Sequence, residues 1–311
     1  MKKTTLRDVA KEAGVSVATV SYVLNNVSKQ TIPEETRQRV FQAASKLKYV
    51  QNLTAKALSL GKTNVLGVLI VSPNDAIVPK TVSYGAYLDR LERRCREKGY
   101  HLLISQLDPS EPSLDIIAER KLDGVFLIDA VAHSFHAISS HLQYGSPLVL
   151  IDGRINDPLF REVMPDLQGI SEILNNRMLP GEPFALIHEQ LSNIPYEQSL
   201  RDAFGLDDSS MLLATSEEEV LRSFIERHSD KSLVVFNEFV ALQALRYRSP
   251  ESIVVVCTSE CPELLPARMR KLVPLHSKAD ASFDLMSELL VSPFGSSLDG
   301  RIPFRADCFE S

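Results

Sequence analysis

In VATVSYVLNN, residues 17–26, the residue types that could touch another molecule recur at helical spacing. At about 100° per residue, Ala18, Tyr22 and Asn25 share the face opposite Val20 and Leu24, flanked by Val17 and Ser21 on one side and Thr19 and Asn26 on the other. A helix that meets only solvent usually carries Glu and Lys there, and this face carries neither. Hydroxyls and amides suit phosphate oxygens, and small apolar groups suit thymine methyls, so the chemistry on offer is that of a DNA major groove. The alternative for Tyr22 is an exposed ring packed on a neighbouring helix.

The elements that would position this face are legible around it. Leu6, Val9, Ala10 and Ala13 form an apolar helical stripe, with Thr5 as N-cap and Asp8 completing a capping-box pattern. Gly14 ends that helix, and Ser16 is the next N-cap, leading a stripe of Val20, Val23, Leu24 and Val27. A third helix is expected from about Pro33, burying Val40, Phe41, Ala44 and Leu47. Three short helices close one small core, and the short turn between the first two is that of a helix-turn-helix.

Charge divides the chain at the same place. Residues 1–63 carry 11 Lys and Arg against 4 Asp and Glu, whereas the whole chain has a net charge of −6. Between Glu35 and Asp75 there is no carboxylate. A basic head on an acidic body suits a polyanionic partner, although charge alone equally fits short helices solvated by Lys and Arg.

TLRDVAKEAGVSVATVSYVLNN, with ETRQRVFQAASKLKYV and NLTAKALSLGKT after it, resembles the head and hinge of the lactose-repressor and purine-repressor (LacI/PurR) family of bacterial transcription regulators. The resemblance implies that Val17, Ala18 and Tyr22 read bases, with Leu6 close by, and that Thr5, Ser16, Thr19, Ser21, Asn25 and Asn26 contact or orient the DNA backbone. It also implies a hinge helix at residues 52–60, with Asn52 as its cap, Ala55 and Lys56 facing the DNA, and Leu58 wedged into a base step of the minor groove. A segment that short would form only on its target. Gln51 stands where a proline is frequent, Lys56 where an arginine is frequent, and Ile32 replaces the usual hydroxyl cap before Pro33. Replacing Lys56 with Ala is expected to weaken binding to every operator alike and to lower the salt slope by about one, read from affinities over a salt series.

Beyond residue 64, strand-length apolar runs alternate with amphipathic stretches: VLGVLIV, HLLISQL, GVFLID, PLVLID, FALIHE, MLLATS, LVVFNE, SIVVVCTS and LVPLHS. That alternation predicts an α/β body of parallel sheets with crossover helices, in two lobes. The expected organisation is a three-helix head at 1–50, a hinge and linker at 51–63, and a two-lobed core at 64–311. Lobe one takes about 64–164 and 280–311, and lobe two about 165–279. The resemblance makes this core periplasmic-binding-protein-like, with dimerisation and an effector in the inter-lobe cleft. Asp75, Asp129, Asn237, Glu238 and Ser259 are its candidate contacts, at or beyond strand ends where open α/β sheets bind ligands.

The cleft departs from the family pattern. VVVCTSE offers Ser259 and Glu260 where an aspartate is common, and SLRDAF places Leu200 where an arginine is common. The expected partners are therefore a near-palindromic double-stranded operator, a second copy of the chain, and a small-molecule effector, sugar-like or another metabolite. An absent effector, or a protein partner in its place, stays open, as does a solute-binding or sensor module of another class.

No cofactor, metal site or enzymatic activity is expected. The four cysteines are sparse, no phosphate-binding Gly-rich loop follows a strand, and His133, His136 and His141 lack a carboxylate or cysteine at ligand spacing. Without a secretory signal or an apolar run of membrane-spanning length, the expected location is the cytoplasm, away from membranes.

Overall fold

The structure, a computed structural model, describes residues 4–24, 32–49, 62–71, 78–107, 115–130, 146–155, 160–292 and 298–307. The chain forms two compact units, 1–63 and 64–311.

In the first unit, α1 (Leu6–Ala13), α2 (Val17–Leu24) and α3 (Glu34–Lys46) enclose Val9, Val20, Val23 and Val40, each no more than 1% exposed. The capping box on α1 is formed: Asp8 accepts from the Thr5 amide at 2.8 Å, and the Thr5 hydroxyl accepts from the Asp8 amide at 3.4 Å. Gly14 sits at φ 66°, a left-handed turn that glycine adopts without strain. Ser16 then accepts from the Thr19 amide at 3.0 Å and starts α2. Phe41 corrects one expectation: it is 52% exposed, and Ala43 takes the buried place beside Val40.

The second unit holds two sheets of six strands. The first has the order β11-β5-β4-β3-β1-β2, built from β1 (Val65–Val71), β2 (His101–Leu107), β3 (Gly124–Ile128), β4 (Leu148–Ile151), β5 (Arg161–Pro165) and β11 (Arg301–Ile302), all paired in parallel. The second has the order β12-β10-β9-β8-β6-β7, from β6 (Phe184–His188), β7 (Met211–Leu213), β8 (Ser232–Phe236), β9 (Ile253–Val256), β10 (Arg270–Pro274) and β12 (Phe304–Asp307). Only the β10–β12 pair is antiparallel among these. Helices cover both faces of such sheets, so β3, β6 and β9 are buried along their whole length and read as continuous apolar runs.

The helices that position the cleft are α4 (Val78–Glu97) after β1, α5 (Asp115–Arg120) after β2, α6 (Leu167–Ile173) after β5, α7 (Ile194–Phe204) after β6, α8 (Glu218–Arg227) after β7, α9 (Glu238–Ala244) after β8 and α10 (Lys278–Val291) after β10. Although α10 follows the second sheet, it packs on α4, β4 and β5 of the first. The chain then divides at Pro303: Ile302 pairs beside Pro165 in the first sheet, while Phe304 pairs with Pro274 in the second. The expected assignment of 280–311 to lobe one is thus corrected for β12.

Gly300 marks this crossing. A Cβ there would lie 1.7 Å from the Glu162 carbonyl oxygen, a backbone atom that cannot swing away. Gly300→Ala is expected to cost about 3 kcal/mol, the upper end of overpacking penalties, read as a lowered midpoint in urea denaturation.

Candidate nucleic-acid interface and inter-lobe cleft

On α2 the core side is fixed by Val20 and Val23, and the opposite side carries Val17 at 40% and Tyr22 at 38% exposure. Ala18 is exposed between them, and Thr19 and Ser21 are half-buried at the margins. Exposed Thr5 and Ser16 serve as helix caps, so their hydroxyls also hold the backbone that presents the face. Leu6 is half-buried and packs on the head core. Lys46 is held by Glu12 at 2.6 Å. Asn25, Asn26, Asn52, Ala55, Lys56, Leu58 and Asp75 lie outside the described residues, as do His133, His136 and His141.

In the second unit, the strand order reverses between β1 and β3 and between β6 and β8, which puts the crevice at the carboxyl ends of these strands. Four residues just beyond strand ends have left-handed backbones: Asp129 (φ 60°), Asp152 (φ 50°), Asn237 (φ 82°) and Glu260 (φ 57°). Non-glycine residues rarely adopt such angles, and they concentrate where side chains are turned into a site.

The cleft they line is filled from within. From α4, Lys80 pairs with Asp129 and donates to the Gln190 carbonyl at 2.6 Å, and Ser83 meets Ser259 at 2.7 Å and Asn237 at 2.6 Å. Arg90, on the same helix, pairs with Glu260. Lys278, at the start of α10, reaches Asp152 at 2.6 Å. What is left between Tyr84, Tyr87, Asp152, Glu189, Thr258 and Lys278 is about 20 Å³, room for about one water.

The expected effector contacts are placed unequally in this arrangement. Asp129, 1% exposed, is committed to Lys80, and Ser259 to Ser83. Asn237, fully buried, caps α9 by accepting from the Phe239 amide at 2.8 Å, while its own amide donates to Ser83 and Glu189. Glu238 is a correction: it is fully buried, and its carboxylate accepts from the Ser259 amide at 2.9 Å and the Cys261 amide at 2.7 Å, bracing the turn after β9. Burial raises its pKa, and those two amide hydrogen bonds oppose the rise. Leu200 is a core residue, and Arg201 beside it is held by Glu197 and Asp208.

Asp152, Glu189 and Glu260 were not among the expected contacts, although PLVLID, FALIHE and VVVCTSE each carry one of them at the strand end. Lys80, Ser83, Tyr84, Arg90 and Lys278 sit inside helices, where sequence spacing offered no such signal. His188, between Tyr196 and Phe236, is pushed down to about 4 by burial. Among the described residues no group of three or more His, Cys, Asp and Glu could hold a metal ion. Nor is any helix among them long and apolar enough to cross a membrane.

Set beside known proteins, residues 5–52 match the family described as bacterial regulatory proteins, lacI family. The HTH-type transcriptional regulator DegA of Bacillus subtilis is 26% identical over 82% of this chain and 81% of its own length. The head is thus similar to that family, and the likeness to DegA extends over most of the chain. The sucrose operon repressor of Klebsiella pneumoniae is 32% identical but matches over 58% of this chain and 53% of that protein. The repressor PurR of Escherichia coli is 30% identical over 40% of this chain and 35% of its own length. The chain therefore spans about half of the former and a third of the latter. A lac repressor dimer bound to operator and the anti-inducer ONPF superposes with a TM-score of 0.73, at 16% identity and 98% coverage of both chains, which shows the fold. A lacI-family regulator of Silicibacter pomeroyi gives 0.67 at 19% identity, over 98% of this chain and 99% of that one. Each of these curated relatives is named as a transcription regulator or repressor.

Proposed function

We propose that this chain is a lacI-family regulator, a dimeric, cytoplasmic repressor whose paired heads read a near-palindromic operator and whose cleft sets the affinity. The observation that carries this reading is the exposed, uncharged face of α2, with Tyr22, Val17 and Ala18 outward and Val20 and Val23 buried. Such a face gains nothing from water that charged residues would not give better, whereas base edges and thymine methyls reward it. The basic balance of residues 1–63 supplies phosphate attraction around it. In this reading 1–50 is the head, 51–63 the hinge and 64–311 the effector-binding and dimerising core. Selection of genomic fragments by the purified full chain at moderate salt tests it. One palindromic site should be recovered, and sequence-blind, salt-sensitive binding alone would overturn it.

A second reading keeps the operator and dispenses with the small molecule. It is favoured by the cleft, which the chain's own Lys80, Ser83, Arg90 and Lys278 already fill. A ligand shifts an equilibrium only by its unequal affinity for two states, so an effector must repay the contacts it parts. Titration of the full chain with candidate metabolites separates the two readings.

A further inference from the structure

Among the described residues that line the cleft, carboxylates outnumber cations: Asp152, Glu189 and Glu260 face Arg90 and Lys278. Lys278 is taken by Asp152 and Arg90 by Glu260. Among the described residues, no Lys or Arg forms an ion pair with Glu189, whose side-chain partner is the Asn237 amide at 2.8 Å. Lys80 and Tyr84 from α4, Asp152 beyond β4, Lys278 from α10, and His188 and Tyr196 from its own lobe surround that carboxyl. Burial pushes Glu189 up to about 7, so near neutral pH it holds a proton for part of the time.

The same cleft has hydroxyls without partners. Tyr84 Oη and Thr258 Oγ1 are buried and line the space, and neither has a hydrogen-bond partner among the described residues. Thr258 is only 7% exposed. Buried polar groups are ordinarily satisfied, so each exception asks what completes it. One water fits and could serve one or both hydroxyls, but a neutral water brings no ion-pair partner to Glu189.

We propose that the effector of this cleft is a small hydroxylated amine, whose ammonium group neutralises Glu189 while its hydroxyls engage Tyr84 and Thr258. The inference rests on the repressor reading above and specifies the ligand of its cleft. Entry requires the Arg90–Glu260 and Ser83–Ser259 contacts to part, because the enclosed space admits only a water-sized group. The proton on Glu189 competes with the amine: the ammonium stabilises the carboxylate, so binding at pH 6.5 releases the proton, and affinity rises as pH rises through about 7.

The test is isothermal titration of the full-length protein with glucosamine, galactosamine and serinol, each beside its N-acetylated form, in two buffers of different ionisation heat. At least one free amine should bind saturably, tenfold or more tighter than its acetylated form, with net proton release at pH 6.5. In Glu189→Gln both the amine preference and the proton release should vanish. If no free amine in the set outbinds its acetylated form, or if Glu189→Gln keeps the preference, the proposal is overturned. Should that variant fail to fold, proton release by the unaltered protein decides, and amine binding without it refutes Glu189 as the site. Operator selection on the same preparation separates the two levels. Operator binding without amine preference sinks this inference alone, whereas loss of sequence-specific DNA binding sinks the reading beneath it.

Discussion

Lys80→Met is expected to destabilise the core by about 3–5 kcal/mol, the range for removing one partner of a buried ion pair. The side chains of Lys80 and Asp129 are 5% and 2% exposed, so water does not replace the lost ammonium. What remains to Asp129 is a Ser192 amide at 3.4 Å, too long to compensate a buried carboxylate. The bond from Lys80 to the Gln190 carbonyl on the opposite lobe is lost as well, which loosens closure. The double variant Lys80→Met with Asp129→Leu should recover most of the loss, since an apolar pair of similar volume often matches a buried ion pair. Urea denaturation of the single and double variants gives the coupling. A single variant within about 1 kcal/mol of the parent would mean that the pair is solvated and does not hold the cleft.

The contrast between what the sequence disclosed and what it hid follows from distance along the chain. The head was readable because its order is local: caps, stripes and the Gly14 turn act within four residues, and Thr5, Asp8, Ser16 and Val20 do what their spacing predicts. Phe41 misled because it lies next to Val40 in sequence but one helical step around the axis, on the solvent side. The sheets were legible as apolar runs, yet the crossing at Pro303 was not, because β11 has only two residues and carries no periodicity. In the cleft, strand ends marked the place without revealing the partners. Lys80 and Asp129 are 49 residues apart, and Arg90 and Glu260 are 170 apart, so only the folded chain shows that they neutralise each other. Glu238 shows how little shift is needed. Asn237 takes a left-handed turn at φ 82°, and the next carboxylate points into the β9 turn instead of the cleft.

Tyr22→Ala should have the largest effect on function with almost none on the fold. The ring is 38% exposed on the side of α2 away from Val20 and Val23, so head stability should change by less than about 0.5 kcal/mol, as for other surface replacements. If the ring reads a base edge, discrimination at that half-site position should fall by about 1–3 kcal/mol, roughly 5- to 150-fold, and in a symmetric dimer both half-sites lose it. Affinity for unrelated DNA should stay unchanged, and so should the slope of affinity against salt, because the substitution removes no positive charge. These two invariants separate a base reader from a residue that merely packs on DNA or on the neighbouring helix. The measurement is competition binding across an operator library in which each half-site base is varied in turn. Loss confined to one symmetric pair of positions places Tyr22 over that base. An equal loss across every sequence would assign the ring to backbone positioning, and base selection would then fall to Val17 and Ala18, whose apolar side chains can distinguish little more than the thymine methyl.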